Sequence, residues 1–119
     1  MDIENLGTYQ RALRLFAYDA MASAKIAHEY IFKDEKYVSV AIAYLNKAIS
    51  KMAAAESLYY ARYDELAHSD IEHLFNQFDV FSTEFLTNFR TDHSHQWTDI
   101  EFERLEGSYQ NSVCFESIN

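Results

Sequence analysis

Three residues near the end of the chain could do chemistry together: Arg90, His93 and His95, within the stretch FLTNFRTDHSHQW at 85–97. A histidine titrates near neutral pH and can move a proton, while an arginine offers planar donors to a phosphate. The cluster therefore permits acid–base work on a phosphoester. Alternatively, these residues mark a helix end and the turn after it, where cations interact favourably with the helix dipole.

Metal-ligand patterns are sparse in this sequence. Glu65 and His68 form one Glu-x-x-His motif, but carboxylate di-iron bundles need two such motifs and two further glutamates at mid-bundle. His28, His93 and His95 could meet at one bundle end, yet exposed loop histidines are the simpler interpretation. We therefore expect neither a metal nor a cofactor.

The composition indicates a globular helical protein. Of 119 residues, 49% are hydrophobic and 24% are charged, whereas proline is absent and glycine occurs twice. A β-rich domain needs turn residues about every ten positions, so helices with short polar loops are favoured. One cysteine, Cys114, gives no internal disulfide framework, and we recognise no signal peptide or membrane span. We expect a soluble cytoplasmic protein with one domain over 1–119 and a loosely held tail from about 112.

The net charge of −9 is concentrated in one half of the chain. Residues 1–69 contain nine acids and eight bases, whereas residues 70–119 contain ten acids and two bases. Because nucleic-acid affinity comes mostly from lysine and arginine, this distribution argues against broad nucleic-acid binding. The acidic half is either a solvated face that aids solubility or a surface that docks a basic protein.

Apolar residues recur at helical spacing in four segments. The first two run from about 3 to 31 and from 37 to 66; the others begin at capping-box matches at Ser69 and Thr98. Alanines in the first two segments leave room for phenylalanines of the third, which predicts an all-α, up-down antiparallel four-helix bundle. The stripes are Leu6, Leu13, Ala17, Ala20, Ala24, Ala27 and Ile31; Val38, Ala41, Leu45, Ala48, Met52, Ala55, Tyr59 and Leu66; Ile71, Leu74, Phe78, Phe81, Phe85 and Phe89; and Phe102, Leu105, Tyr109 and Val113.

This topology predicts which polar residues share a bundle end. His68 and His73 lie at one end, and a larger group lies at the other. That group is His28, Lys33, Asp34, Arg90, His93 and His95.

More aromatic residues are present than one core needs. Tyr59, Tyr60, Tyr63, Phe75 and Phe115 could form an apolar surface between two copies, so we expect a homodimer. Alternatively, the tyrosines cover the core with their hydroxyls in water.

Three segments resemble HEPN domains over roughly residues 10–110. FRTDHSHQWTDIEFERL (89–105) resembles their Arg-x(4–6)-His stretch, which follows the third long helix, and Arg90-x4-His95 has the family spacing. His95-Gln96-Trp97 resembles the His-x-aromatic part. EKYVSVAIAYLNKAISKMAAAESLYYA (35–61) is similar to the Ala- and Tyr-rich second helix of that family. AHSDIEHLFNQF (67–78) is similar to its segment in which a His is followed by a Phe-bearing helix.

The resemblance implies a dimeric bundle that is a metal-independent endoribonuclease of the toxin or phage-defence type. His95 would handle the proton of the attacking 2′-hydroxyl, and Arg90 would hold the scissile phosphate. Thr91 stands where the family has a polar residue, most often Asn, and His93 and His28 are further binding candidates. We carry two functions: an acidic interaction or regulatory protein without catalysis, and this ribonuclease or a degenerate relative. RNA is a partner only in the second case, and a membrane is a partner in neither.

Overall fold

The part of the chain that the structure describes consists of helices joined by short turns. The computed structural model describes residues 3–33, 35–91 and 95–112, with side chains from 7 onward except those of 90 and 91. The helices are α1 (Ile3–Ile31), α2 (Val38–Ala61), α3 (Tyr63–Leu66), α4 (Ser69–Thr91) and α5 (Gln96–Gln110), with a 3₁₀ helix at Glu35–Tyr37 before α2. The predicted all-α class is confirmed for these residues. Among the described residues, no helix is both long and apolar enough to cross a membrane.

The second predicted helix is interrupted near its C-terminal end. It ends at Ala61 because Arg62 leaves the helical conformation, with φ −122° and ψ 35°, and the chain resumes as the short α3. The Arg62 guanidinium lies over the Tyr9 ring at 4.2 Å and donates to the Tyr9 hydroxyl at 2.6 Å. The interruption turns the chain toward α4 and still buries Leu66, as the stripe predicted.

Both predicted capping boxes differ from the observed helix starts. At α4 the cap is His68, whose carbonyl accepts the Ile71 N–H and whose Nδ1 accepts the Asp70 N–H at 3.1 Å. α5 begins at Gln96, two residues before Thr98, and it continues past Gly107 to Gln110. In each case a histidine one to three residues upstream occupies the cap position.

The apolar stripes form the core as predicted. Every stripe residue with a described side chain is buried or partly buried, except Phe89, which is 44% exposed. Leu6 and Val113 lie outside the described side chains. α1 packs mainly against α2 and α4 mainly against α5, with smaller contacts between α2 and α4 and between α1 and α5.

The helix contacts define two ends along a molecule 51 Å long. Tyr9 near the start of α1 meets Arg62 beyond the end of α2, whereas Tyr30 near the end of α1 meets Tyr37 just before α2. α1 and α2 therefore run in opposite directions. The aromatic surface predicted for dimerisation is divided: Tyr60 and Tyr63 are exposed, but Tyr59 and Phe75 belong to the core. Phe115 lies outside the described residues.

Candidate functional site

His95 occupies the N-cap position of α5, at the end of the molecule where α1 also finishes. Its Nδ1 lies 3.0 Å from the Thr98 hydroxyl. The imidazole packs against the Phe85 ring at 5.4 Å, and the Phe32 ring lies edge-on at 6.4 Å. Because Thr98 engages Nδ1, acid–base chemistry at this residue would use Nε2.

A buried polar chain holds His95 in place. The Asn88 amide donates to the Thr98 hydroxyl at 3.1 Å and to Glu84 Oε1 at 3.0 Å. Thr98 is fully buried and Asn88 is 5% exposed. Buried polar groups are costly unless satisfied, so this chain fixes the α4–α5 junction and orients the imidazole.

Burial lowers the pKa of His95 from its ordinary value of 6.5. The imidazole is therefore mainly neutral at pH 7. A neutral imidazole can accept a proton, which is the state that a general base requires.

A second histidine lies on the other side of Phe32. His28 Nε2 is 2.8 Å from Asp99 Oδ1, and its ring stacks on Phe102 at 4.3 Å with an interplanar angle of 12°. Phe32 contacts the His28 ring edge-on at 5.2 Å. The two predicted site histidines with described side chains, His28 and His95, thus share one end and one aromatic neighbour.

The remaining predicted site residues are placed only in part. Arg90 lies in the last turn of α4, five positions before His95, and Thr91 ends that helix. The side chains of Arg90 and Thr91, and the whole of His93, lie outside the described part of the chain. The pairing of Arg90 with His95 therefore stays a prediction.

The opposite end carries a structural cluster around Tyr59. Its buried hydroxyl accepts the His68 N–H at 3.0 Å and donates to Glu72 Oε2 at 2.8 Å. Burial and the nearby Glu72 carboxylate raise the Tyr59 pKa to about 12, although the hydrogen bond with the His68 backbone acts to lower it. This cluster ties the α3–α4 corner to α2. Across the described residues, no group of three or more His, Cys, Asp or Glu side chains is arranged to hold a metal.

Sequence reasoning missed the residues that support His95. Asn88 and Thr98 carry no catalytic pattern, and Thr98 was assigned as a helix cap. Asp99 was assigned to that capping box and not to His28, from which it is separated by 71 positions. The sequence did hold one sign that the Phe32 ring is exposed, because Phe32 falls outside the core stripe of the first helix.

Two lysines lie over tyrosine rings at the end of the molecule that holds His95. Lys33 Nζ lies 4.4 Å from the Tyr30 ring centroid, and Lys36 Nζ lies 5.2 Å from that of Tyr37. At least four acids of the C-terminal half have structural partners. They are Glu72 with Tyr59, Glu84 with Asn88, Asp99 with His28, and Glu101 with Gln77 and Arg104.

Comparison with known proteins gives no match, whether to family models, to curated proteins or to solved structures.

Proposed function

We propose that this protein is a small helical interaction or regulatory module that works as a homodimer in the cytoplasm. The observation that supports this is the corner between α2 and α3. There Tyr60 and Tyr63 are 57% and 44% exposed, and their rings stack at 6.1 Å with an interplanar angle of 12°. Two large stacked aromatic side chains on a small surface are typical of a protein–protein contact.

The corner is rigid because the core holds it from below. Tyr59 and Phe75 pack against Tyr60 at 5.0 and 6.4 Å. Tyr63 also meets Tyr59, edge-on at 5.6 Å. Rigid aromatic groups lose little conformational entropy on binding, which favours them as contact residues. A basic partner protein could bind alongside, since Asp79 and Glu103 are exposed acids of α4 and α5.

We further propose that the fold is an up-down bundle of the four long helices. α1 and α2 run in opposite directions. Asn88 near the end of α4 donates a hydrogen bond to Thr98 near the start of α5. Gln77, earlier in α4, bonds to Glu101, later in α5. These pairs are those that short connections between antiparallel neighbours require.

Sedimentation velocity tests the dimer. The double variant Tyr60→Ser, Tyr63→Ser is compared with wild type and with Tyr18→Ser, an exposed tyrosine of α1 that serves as the control. Wild type and the control are expected to sediment as dimers at micromolar concentration, and the double variant as a monomer. A double variant that dimerises like wild type would refute this interface.

A second candidate function is a metal-independent ribonuclease that uses Arg90 and His95, or a degenerate relative of one. The supporting observation is His95 itself, partly buried, with a lowered pKa and held by Thr98 and Asn88. The test is cleavage of single-stranded RNA in EDTA by wild type and His95→Ala, with His73→Ala as an exposed histidine control at the other end. Cleavage that His95→Ala alone abolishes would support the ribonuclease; no cleavage by wild type would refute an active ribonuclease.

The two functions predict different dimers. The resemblance to HEPN domains implies that Arg90 and His95 of two subunits meet at the interface. Tyr60 lies in the last turn of α2 and Tyr63 begins α3, whereas the start of α2 lies at the His95 end; the 24 residues of α2 span roughly 36 Å. A dimer through the tyrosine corner therefore keeps the two His95 side chains apart.

A further inference from the structure

The exposed aromatic group beside His95 is Phe32, in the turn after α1. Its side chain is 53% exposed although the ring touches both His28 and His95. Trp97, two residues after His95, is 60% exposed. The end that holds the candidate acid–base group therefore also presents large aromatic side chains to solvent.

Two lysines follow Phe32, Lys33 directly and Lys36 in the 3₁₀ helix before α2. Lys33 and Lys36 are exposed, and each lies over a tyrosine ring, those of Tyr30 and Tyr37. Cation–π contacts hold the ammonium groups close to the helix end. The acid Asp99 at this end is engaged by His28, although Glu35 is exposed between the lysines. This end thus combines an exposed aromatic ring with two lysines, although the sequence places Asp34 and Glu35 between them.

We propose that Phe32 stacks against a nucleobase of a single-stranded RNA, while Lys33 and Lys36 contact its flanking phosphates. This inference rests on the ribonuclease candidate, because it places the base next to the phosphodiester that His95 would act on. Every base has a π-face, and stacking on an aromatic side chain contributes about 1–3 kcal/mol per base. A base-paired strand cannot offer that face without unstacking, so duplex RNA binds more weakly.

The charge distribution favours a short contact with few phosphates. Two lysines imply that log Kd rises with log salt by roughly 1.4, at about 0.7 per phosphate contact on a single strand. A longer basic groove would give a steeper dependence. Affinity at this end therefore depends more on stacking than on charge.

The test is equilibrium binding of a fluorescently labelled 2′-O-methyl RNA ten-mer, measured by anisotropy at low salt. This probe lacks the 2′-hydroxyl nucleophile, so binding is measured without cleavage. Phe32→Leu keeps an apolar side chain but removes the ring, and Phe32→Tyr restores it. Tyr18→Leu, at a similarly exposed position of α1 that lies outside the proposed dimer interface, is the matched control.

We expect Phe32→Leu to weaken binding about tenfold, which corresponds to about 1.4 kcal/mol and lies within the stacking range. Phe32→Tyr and Tyr18→Leu should stay within about twofold of wild type. Any of three results would overturn the inference. The first is no wild-type binding at 100 µM (~10⁻⁴ M, the weak end of non-specific affinity). The others are binding by Phe32→Leu equal to that of wild type, and binding of a duplex as tight as that of the single strand.

Cleavage of unmodified RNA by the same variants separates this inference from the ribonuclease candidate. If cleavage depends on His95 but binding is unaffected by Phe32→Leu, the ribonuclease candidate stands and the stacking role fails. If binding depends on Phe32 but no cleavage occurs, the stacking role stands and the ribonuclease fails.

Discussion

Removing one hydroxyl group, in Tyr59→Phe, should measurably destabilise the protein. The hydroxyl is the only group in the described structure shown to satisfy the His68 N–H, at 3.0 Å, and it also donates to Glu72 at 2.8 Å. The ring would remain in the core, where the Tyr59 side chain is fully buried, so no cavity larger than the hydroxyl forms. The hydrogen bond to the His68 N–H is only partly buried, so the cost lies at the low end of the about 1–3 kcal/mol for an unsatisfied buried donor, and we expect a loss of about 1 kcal/mol.

Urea denaturation followed by circular dichroism measures this loss, with Tyr60→Phe as the exposed neighbouring control. The pH dependence adds a second signature. Because the folded-state pKa of Tyr59 is raised from 10.0 to about 12, wild type keeps this contribution below pH 10 and loses stability as the pH rises from 10 to 12. Two pKa units correspond to up to about 3 kcal/mol.

Tyr59→Phe has no hydroxyl to ionise at this position, so its stability difference from wild type should narrow above pH 10. A difference below 0.5 kcal/mol at pH 7, the size of an ordinary surface effect, would refute the reasoning. So would a difference that stays constant through the alkaline range.

Three further changes follow from single side chains. Glu56→Gln should raise the free energy of unfolding at pH 7 by a few tenths of a kcal/mol, measured by urea denaturation. The reason is that burial, and to a smaller extent the Asp79 charge, raise the Glu56 pKa and so disfavour its charged form in the folded state. This gain should vanish in acid, where the native carboxyl is protonated. Gly107→Ala should raise the melting temperature by stabilising α5 by about 0.5–1 kcal/mol, since a Cβ there meets no atom within 4 Å. His95→Asn should reduce the loss of stability below pH 6.5 in acid titrations, because the lowered folded-state pKa of His95 makes protonation on acidification unfavourable to folding. Unchanged stability in the first two variants, or an unchanged acid slope in the third, would contradict these assignments.

The helical periodicity predicted the core because it depends only on spacing along one helix. Leu13 to Ala27 in α1 and Ala41 to Tyr59 in α2 are buried at the predicted positions. The helix boundaries were less predictable. Ser69 and Thr98 match a capping pattern, but His68 and His95 precede the first residues of α4 and α5, and of these two only the His68 side chain accepts a backbone N–H. Which residue caps a helix depends on the direction from which the chain arrives, and local spacing does not contain that direction.

The candidate site was likewise predicted only in part from the sequence. The shared end of His28 and His95 followed from topology alone. Their partners did not, because the bond between His28 and Asp99 spans 71 positions and depends on how α1 packs against α5. Phe75 was assigned to the surface, and Tyr59 to both the core stripe and the surface, because the count of aromatic residues does not tell which of them face inward.

Emission from Trp97 across a dilution series tests the proposed dimer most directly. Trp97 is the only tryptophan of the chain, it is 60% exposed, and it lies at the His95 end, opposite Tyr60 and Tyr63. If the tyrosine corner forms the interface, the emission maximum should stay constant while sedimentation shows the dimer dissociating. A shift to longer wavelength on dissociation would mean that the dimer buries Trp97, which contradicts the tyrosine interface and places the contact beside His95.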